Sequence, residues 1–226
     1  MKKIVLSFML SSLICLYLYP QTLCDSNEPA YFVGQNVYTC NGISIITLEP
    51  NCEFSVQEKA TIKSSVLAEY ASKGITNNDI LDDASTQYNC HAYAWHLTEG
   101  NTNKVWINQT MFGGANLSKY WDESNGCFVP TTIEANAEKI FYYSGDHSAV
   151  KSNISGKYES KWGVLPLIRH SPTSVPSSYQ PSNRIYYKRR YIIGPTMVCT
   201  SGATFTAINV SSGYTWSHSS NLNAPS

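Results

Sequence analysis

Gln87-Tyr88-Asn89-Cys90-His91-Ala92-Tyr93-Ala94-Trp95-His96-Leu97 is the stretch on which the reading of the chain turns. Asparagine is a favoured N-cap because its side-chain oxygen accepts from the free amides of the first helical turn. Cys90, Ala94 and Leu97 recur at the spacing of one helical face, and Gly100 supplies a stop. The segment therefore predicts a short, largely buried helix with Cys90 in its first turn. A thiol there meets the positive end of the peptide dipoles, which favours the thiolate, and the same amides can hold the oxyanion of a tetrahedral intermediate.

A nucleophilic thiol needs a base to form it and to protonate the leaving group. Downstream, Ile140-Phe141-Tyr142-Tyr143 and Gly145-Asp146-His147-Ser148-Ala149-Val150 read as two strands turning at Ser144-Gly145, and Lys157 to Trp162 as a third after a hairpin turn from Asn153 to Gly156. His147 follows a Gly-Asp turn and precedes small residues that leave room for a helix, which makes it the candidate base. A third group orienting the imidazole is expected from the next strand, at Glu159 or Ser160. Strand alternation lets only one of them face His147, and the sequence leaves both open. Taken singly, Cys90 also reads as a structural cysteine or a disulfide partner of Cys127 or Cys199, and His147 as a satisfied strand histidine. Their order, a cysteine at a helix start and then a Gly-Asp-His strand, favours catalysis.

Working outward, Tyr31 to Leu48 reads as one or two short strands with turns at Gly34 and Asn41-Gly42. Ser55 and Glu58 form a capping box ahead of a helix with Ile62, Val66 and Tyr70 on one face, ended by Lys73-Gly74. Helix plus antiparallel sheet is an α+β arrangement. Met1-Lys2-Lys3 followed by the apolar run Ile4 to Tyr19 reads as a secretory signal with cleavage after Cys24, a lipid anchor at Cys24 being the weaker alternative, and it implies no stable membrane span once removed. From Gly194 to Ser226 there is no charged residue at all, so a boundary is placed near Ile193. The expected organisation is a leader over 1–24, a core domain over 25–193 and an incomplete all-β tail over 194–226.

Sixteen basic and 16 acidic residues in a chain of 226, only 14% charged, give no basic field for phosphate, which argues against a nucleic-acid partner. Arg184, Lys188, Arg189 and Arg190, interleaved with Tyr186, Tyr187 and Tyr191, fit a solvated strand face instead. Seven cysteines become five if Cys15 and Cys24 leave with the leader, an odd number that leaves a free thiol in an oxidising compartment. Cys40 and Cys52 bracket a strand-like stretch and suit a local disulfide. Cys90, His91 and His96 lack the spacing of a zinc site, so neither a metal nor a cofactor is called for. His170 reads as a loop histidine facing solvent.

Tyr88-Asn89-Cys90-His91-Ala92-Tyr93-Ala94-Trp95, then Gly145-Asp146-His147-Ser148-Ala149-Val150, then Ser160-Lys161-Trp162-Gly163 with His170 resembles the NlpC-like and CHAP-like branch of papain-fold cysteine hydrolases, over roughly 87–170. The resemblance implies a papain-like core in which the helix carrying the cysteine packs on a curved antiparallel sheet. It also implies Cys90 as nucleophile, His147 as base, and a secreted, periplasmic or cell-surface amidase or peptidase acting on peptide or peptidoglycan stem amides. The tail from Cys199 to Ser217 is similar to the opening strands of immunoglobulin-like or PKD-like modules. The rival expectation is a non-catalytic surface module that binds glycan or protein through Trp95, Trp106, Trp121 and Trp162.

Overall fold

Ser55 starts the longer helix as its sequence dictates: its hydroxyl accepts from the Glu58 amide, and the Glu58 carboxylate accepts in return from the Ser55 amide at 2.7 Å. The helix, α1, runs Val56–Tyr70 and passes through a short 3-10 turn to Gly74. Gly74 adopts φ +76°, a left-handed conformation that glycine takes without strain. Ser55→Ala removes the cap and is expected to lower stability by about 1 kcal/mol in urea denaturation, with no change in the sheet. The computed structural model describes residues 22–24, 30–122, 126–193 and 204–210. All but the last three residues of the proposed leader, and most of the tail, lie outside the described residues.

Seven strands form one antiparallel sheet: β1 (Ile80–Asp82), β2 (Phe128–Thr131), β3 (Lys139–Tyr142), β4 (His147–Lys151), β5 (Tyr158–Lys161), β6 (Leu167–His170) and β7 (Arg184–Arg189). Their order across the sheet is β2-β7-β3-β4-β5-β6-β1. Pro130 is tolerated because β2 is an edge strand. The hairpin of β3 and β4 pairs Tyr142 with His147 and Phe141 with Ser148, and residues directly opposite share a face.

Each face has its own core. The second helix, α2 (Cys90–Trp95), covers one face with Ala92, Ala94 and Trp95, which pack with Phe141, Tyr187 and Phe128. α1 covers the other through Val66, Ile62 and Leu67 against Ile140, Tyr142 and Ala149. A mixed α+β fold with one large antiparallel sheet and two short helices is the architecture. Two of the basic residues of β7 are engaged: Arg189 pairs with Glu99, and Arg184 donates to the Tyr186 hydroxyl at 2.8 Å.

The disulfides differ from the expected local one. Cys40 bonds Cys127 across 87 residues, and Cys52 bonds Cys24 across 28. Cys52 lies beside the Thr22–Leu23 strand, which pairs in parallel with Cys52–Glu53, so Cys24 rather than Cys40 comes within reach. A chain cut after Cys24 would lose this bond. Among the described residues Cys90 is the free cysteine; Cys15 and Cys199 lie outside them. Across the expected boundary, β8 (Tyr191–Ile193) pairs with β9 (Thr206–Ile208), the described strand of the tail. The compositional break at Ile193 therefore falls inside a hairpin.

Candidate active site

α2 begins where the sequence places it. The Asn89 side chain accepts from the Ala92 amide at 3.0 Å, and its amide group also donates to the Ile107 carbonyl at 2.8 Å, so the N-cap is tied to the neighbouring segment. Cys90 is 6% exposed. The next residue, His91, is the one that ties the helix start to the β3–β4 turn. Its Nε2 lies 3.0 Å from Asp146 Oδ1 and its Nδ1 2.8 Å from Ser148 Oγ. Burial pulls the His91 pKa down, but Cys90 beside it and the Asp146 carboxylate outweigh burial and raise it to about 9. The ring is then an imidazolium donating from both nitrogens, and Ser148 Oγ accepts from it and from Trp95 Nε1 at 2.8 Å.

His147 is fully buried and belongs to the opposite side of the strand. Because Ser148 turns toward α2, alternation turns His147 toward the face that α1 covers. There its ring stacks on Tyr179, with centroids 3.8 Å apart and planes 4° from parallel, and packs near Tyr142. Neither ring nitrogen has a hydrogen-bond partner, so no bond to the Cys90 sulfur is made. Burial, then His170 and His91 nearby, hold the His147 pKa well below its usual value, which keeps the ring neutral. A buried, unsatisfied imidazole carries a desolvation cost of about 1–3 kcal/mol, which makes it an unusual feature for a purely structural histidine.

The two expectations for a third residue separate by alternation. Glu159 lies opposite Val150, on the face of α2, where it accepts from the Tyr93 hydroxyl at 3.0 Å and pairs with Arg169 at 3.2 Å. It is turned away from His147. Ser160 is on the His147 side but is already engaged. His170 Nδ1 donates to the Ser171 carbonyl at 2.7 Å, so its Nε2 accepts from the Ser160 hydroxyl at 2.7 Å while Trp162 Nε1 donates to the same oxygen at 3.0 Å. His170 is thus a buried strand residue rather than a solvent-facing loop histidine, with its pKa lowered by burial to about 4.

Sequence reasoning passed over His91, weighed only as a metal ligand, and did not reach Asp146 or Tyr179. Asp146 adopts φ +47°, rare for a non-glycine residue, and that turn presents its carboxylate to α2. The tryptophans offered as a binding surface are largely core: Trp95 is 0% and Trp162 1% exposed. Among the described residues no group of three His, Cys, Asp or Glu side chains is placed to hold a metal ion, and no helix is long and apolar enough to cross a membrane.

Compared with known proteins, residues 79–188 match a family model described as a domain of unknown function, DUF7689. The matched span contains α2, the β3–β4 turn and nearly all of the seven-stranded sheet, so it coincides with the part of the chain that builds this site. No curated protein and no solved structure matches the chain.

Proposed function

We propose that the chain is a secreted thiol hydrolase of papain-like architecture, similar to the NlpC-like and CHAP-like enzymes, that cleaves peptide or peptidoglycan stem amides. The observation that carries this reading is a free thiol, Cys90, at the start of α2 beside an imidazolium, His91, that Asp146 of the β3–β4 turn holds, with a buried neutral imidazole without partners, His147, at the start of β4. Two disulfides support an oxidising compartment.

In this mechanism the Cys90 sulfur attacks the amide carbonyl as its proton passes to neutral His147, which requires that ring to turn from its place against Tyr179 toward the start of α2. The same ring returns the proton to the departing amine. Water then attacks the thioester and releases the acid and the thiol. His91, held by Asp146 and Ser148, keeps a positive charge beside the sulfur, and the first-turn amides face the oxyanion.

Cys90→Ala is expected to abolish release of free amine from peptidoglycan stem peptides, a loss of about three orders of magnitude or more. Iodoacetamide should modify Cys90 in the wild-type chain faster than it modifies a model thiol at neutral pH. Full hydrolysis by Cys90→Ala would sink the reading. A specific observation favours a second reading, a non-catalytic surface module: both Cys90 and His147 are closed off from solvent. That reading predicts an alkylation rate at Cys90 below the model thiol's, both as isolated and with ligand present.

A further inference from the structure

His147 lies directly under one short piece of chain. Between buried Val175-Pro176 and the start of β7, the turn Ser177–Tyr179 crosses the β3–β4 turn and lays the Tyr179 ring flat on the His147 ring. The approach is close enough to require glycine beneath it: a Cβ at Gly145 would lie 2.3 Å from Tyr179 Cα. Beyond Tyr179, Gln180 takes φ +46° and its side chain donates to the Ser144 carbonyl at 3.1 Å.

The crossing segment is held lightly for something that covers a buried residue. Its backbone bonds are local, from the Tyr179 amide to the Pro176 carbonyl and from the Gln180 amide to the Ser177 carbonyl, and it pairs with no strand. Ser177, Ser178 and Gln180 are exposed. Apart from Pro176 and the ring of Tyr179, the segment buries little apolar surface, which sets the free energy of lifting it well below that of unfolding the sheet. Prolines 176 and 181 stiffen both ends, so the segment moves as a unit about its anchors.

We propose that the Pro176–Gln180 turn is an autoinhibitory strap, in which Tyr179 occupies the place over His147 that a planar amide of the substrate takes when the strap lifts. The proposal rests on the hydrolase reading and adds its regulation. It accounts for the orphaned ring: a histidine whose nitrogens find no partner in the covered state is one whose partners arrive with the substrate.

The test is the accessibility of His147 in the full chain, read as its carbethoxylation by diethyl pyrocarbonate with peptide mapping, beside iodoacetamide alkylation of Cys90. Tyr179→Ala is expected to raise the His147 rate at least tenfold. Gly145→Ala, which displaces the strap from below, is expected to do the same. Val66→Ala loosens the same core without touching the strap and should leave the rate within twofold. Equal rates for wild type and Tyr179→Ala overturn the strap, as does an equal rise in Val66→Ala. In the wild type, amides 177–180 should exchange with solvent while those of β4 stay protected; equal protection also overturns it. If His147 is uncovered yet Cys90 reacts no faster than a model thiol, the strap stands and the hydrolase reading falls. If His147 already reacts at the variant's rate in the wild type, the strap falls and the hydrolase reading is untouched.

Discussion

Trp95→Ala is expected to lower the free energy of unfolding by about 3–5 kcal/mol, enough to remove most of the margin of a domain stable by about 5–15 kcal/mol. Trp95 has no solvent-exposed surface and is the hub of the α2 face. Its ring lies 4.7 Å from Trp121, 5.2 Å from Phe128, 5.5 Å from Tyr187 and 5.9 Å from Tyr120. The Lys139 ammonium sits 5.6 Å from the ring centre while donating to Glu99 at 2.6 Å. Truncation leaves a cavity that this rigid aromatic set closes poorly, and Ser148 loses a donor. Trp95→Phe keeps a ring in place and loses chiefly the bond to Ser148, so about 1–2 kcal/mol is expected. Urea denaturation followed by circular dichroism measures both, and near-equal values for the two variants would show that packing is not what Trp95 supplies.

A second large effect concerns proton binding. Lys161 is fully buried, with its ammonium donating to the carbonyls of Ser85 at 3.1 Å, Gly163 at 3.2 Å and Leu165. Burial lowers its pKa from 10.5 to about 7. Below pH 7 both folded and unfolded chains hold this proton. Above it the folded chain releases the proton while the unfolded chain keeps it up to about 10.5, so the unfolded state binds more protons and stability from this group rises with pH. The slope is about 1.4 kcal/mol per pH unit between those limits. His91 acts oppositely: its raised pKa contributes stability that is lost as pH climbs toward about 9. Comparison with Lys161→Met removes that opposing contribution, since both proteins carry His91. The difference in unfolding free energy, wild type minus variant, should therefore climb steadily from pH 7 to pH 10; parallel curves would refute the assignment.

Legibility followed the range of the signal. The capping box of Ser55 and Glu58, the Asn89 cap and the β3–β4–β5 order are written in neighbouring residues, and the structure has them where the sequence puts them. β6 and β1 are different, because Leu167–His170 becomes a strand only by pairing with Tyr158–Lys161 on one side and Ile80–Asp82 on the other. His170 read as a loop residue for that reason. Disulfide connectivity is equally non-local, which is why spacing suggested Cys40 with Cys52. At the site, Cys90 and His147 were readable as chemistry-bearing residues. His91 was not, because its importance comes from a carboxylate 55 residues away that a left-handed turn presents to it.

The alternation along β4 has a genetic consequence. His147 and Ser148 are adjacent in sequence but serve opposite sides of the sheet, one under Tyr179 and one under His91. An insertion or deletion of a single codon in the turn over 143–146 that shifts β4 by one residue would exchange them, placing a hydroxyl where the imidazole belongs and an imidazole in the clasp of Trp95 and His91. Point substitutions at either position alter one face only. The length of this turn is therefore constrained as well as the residue types at Gly145 and Asp146.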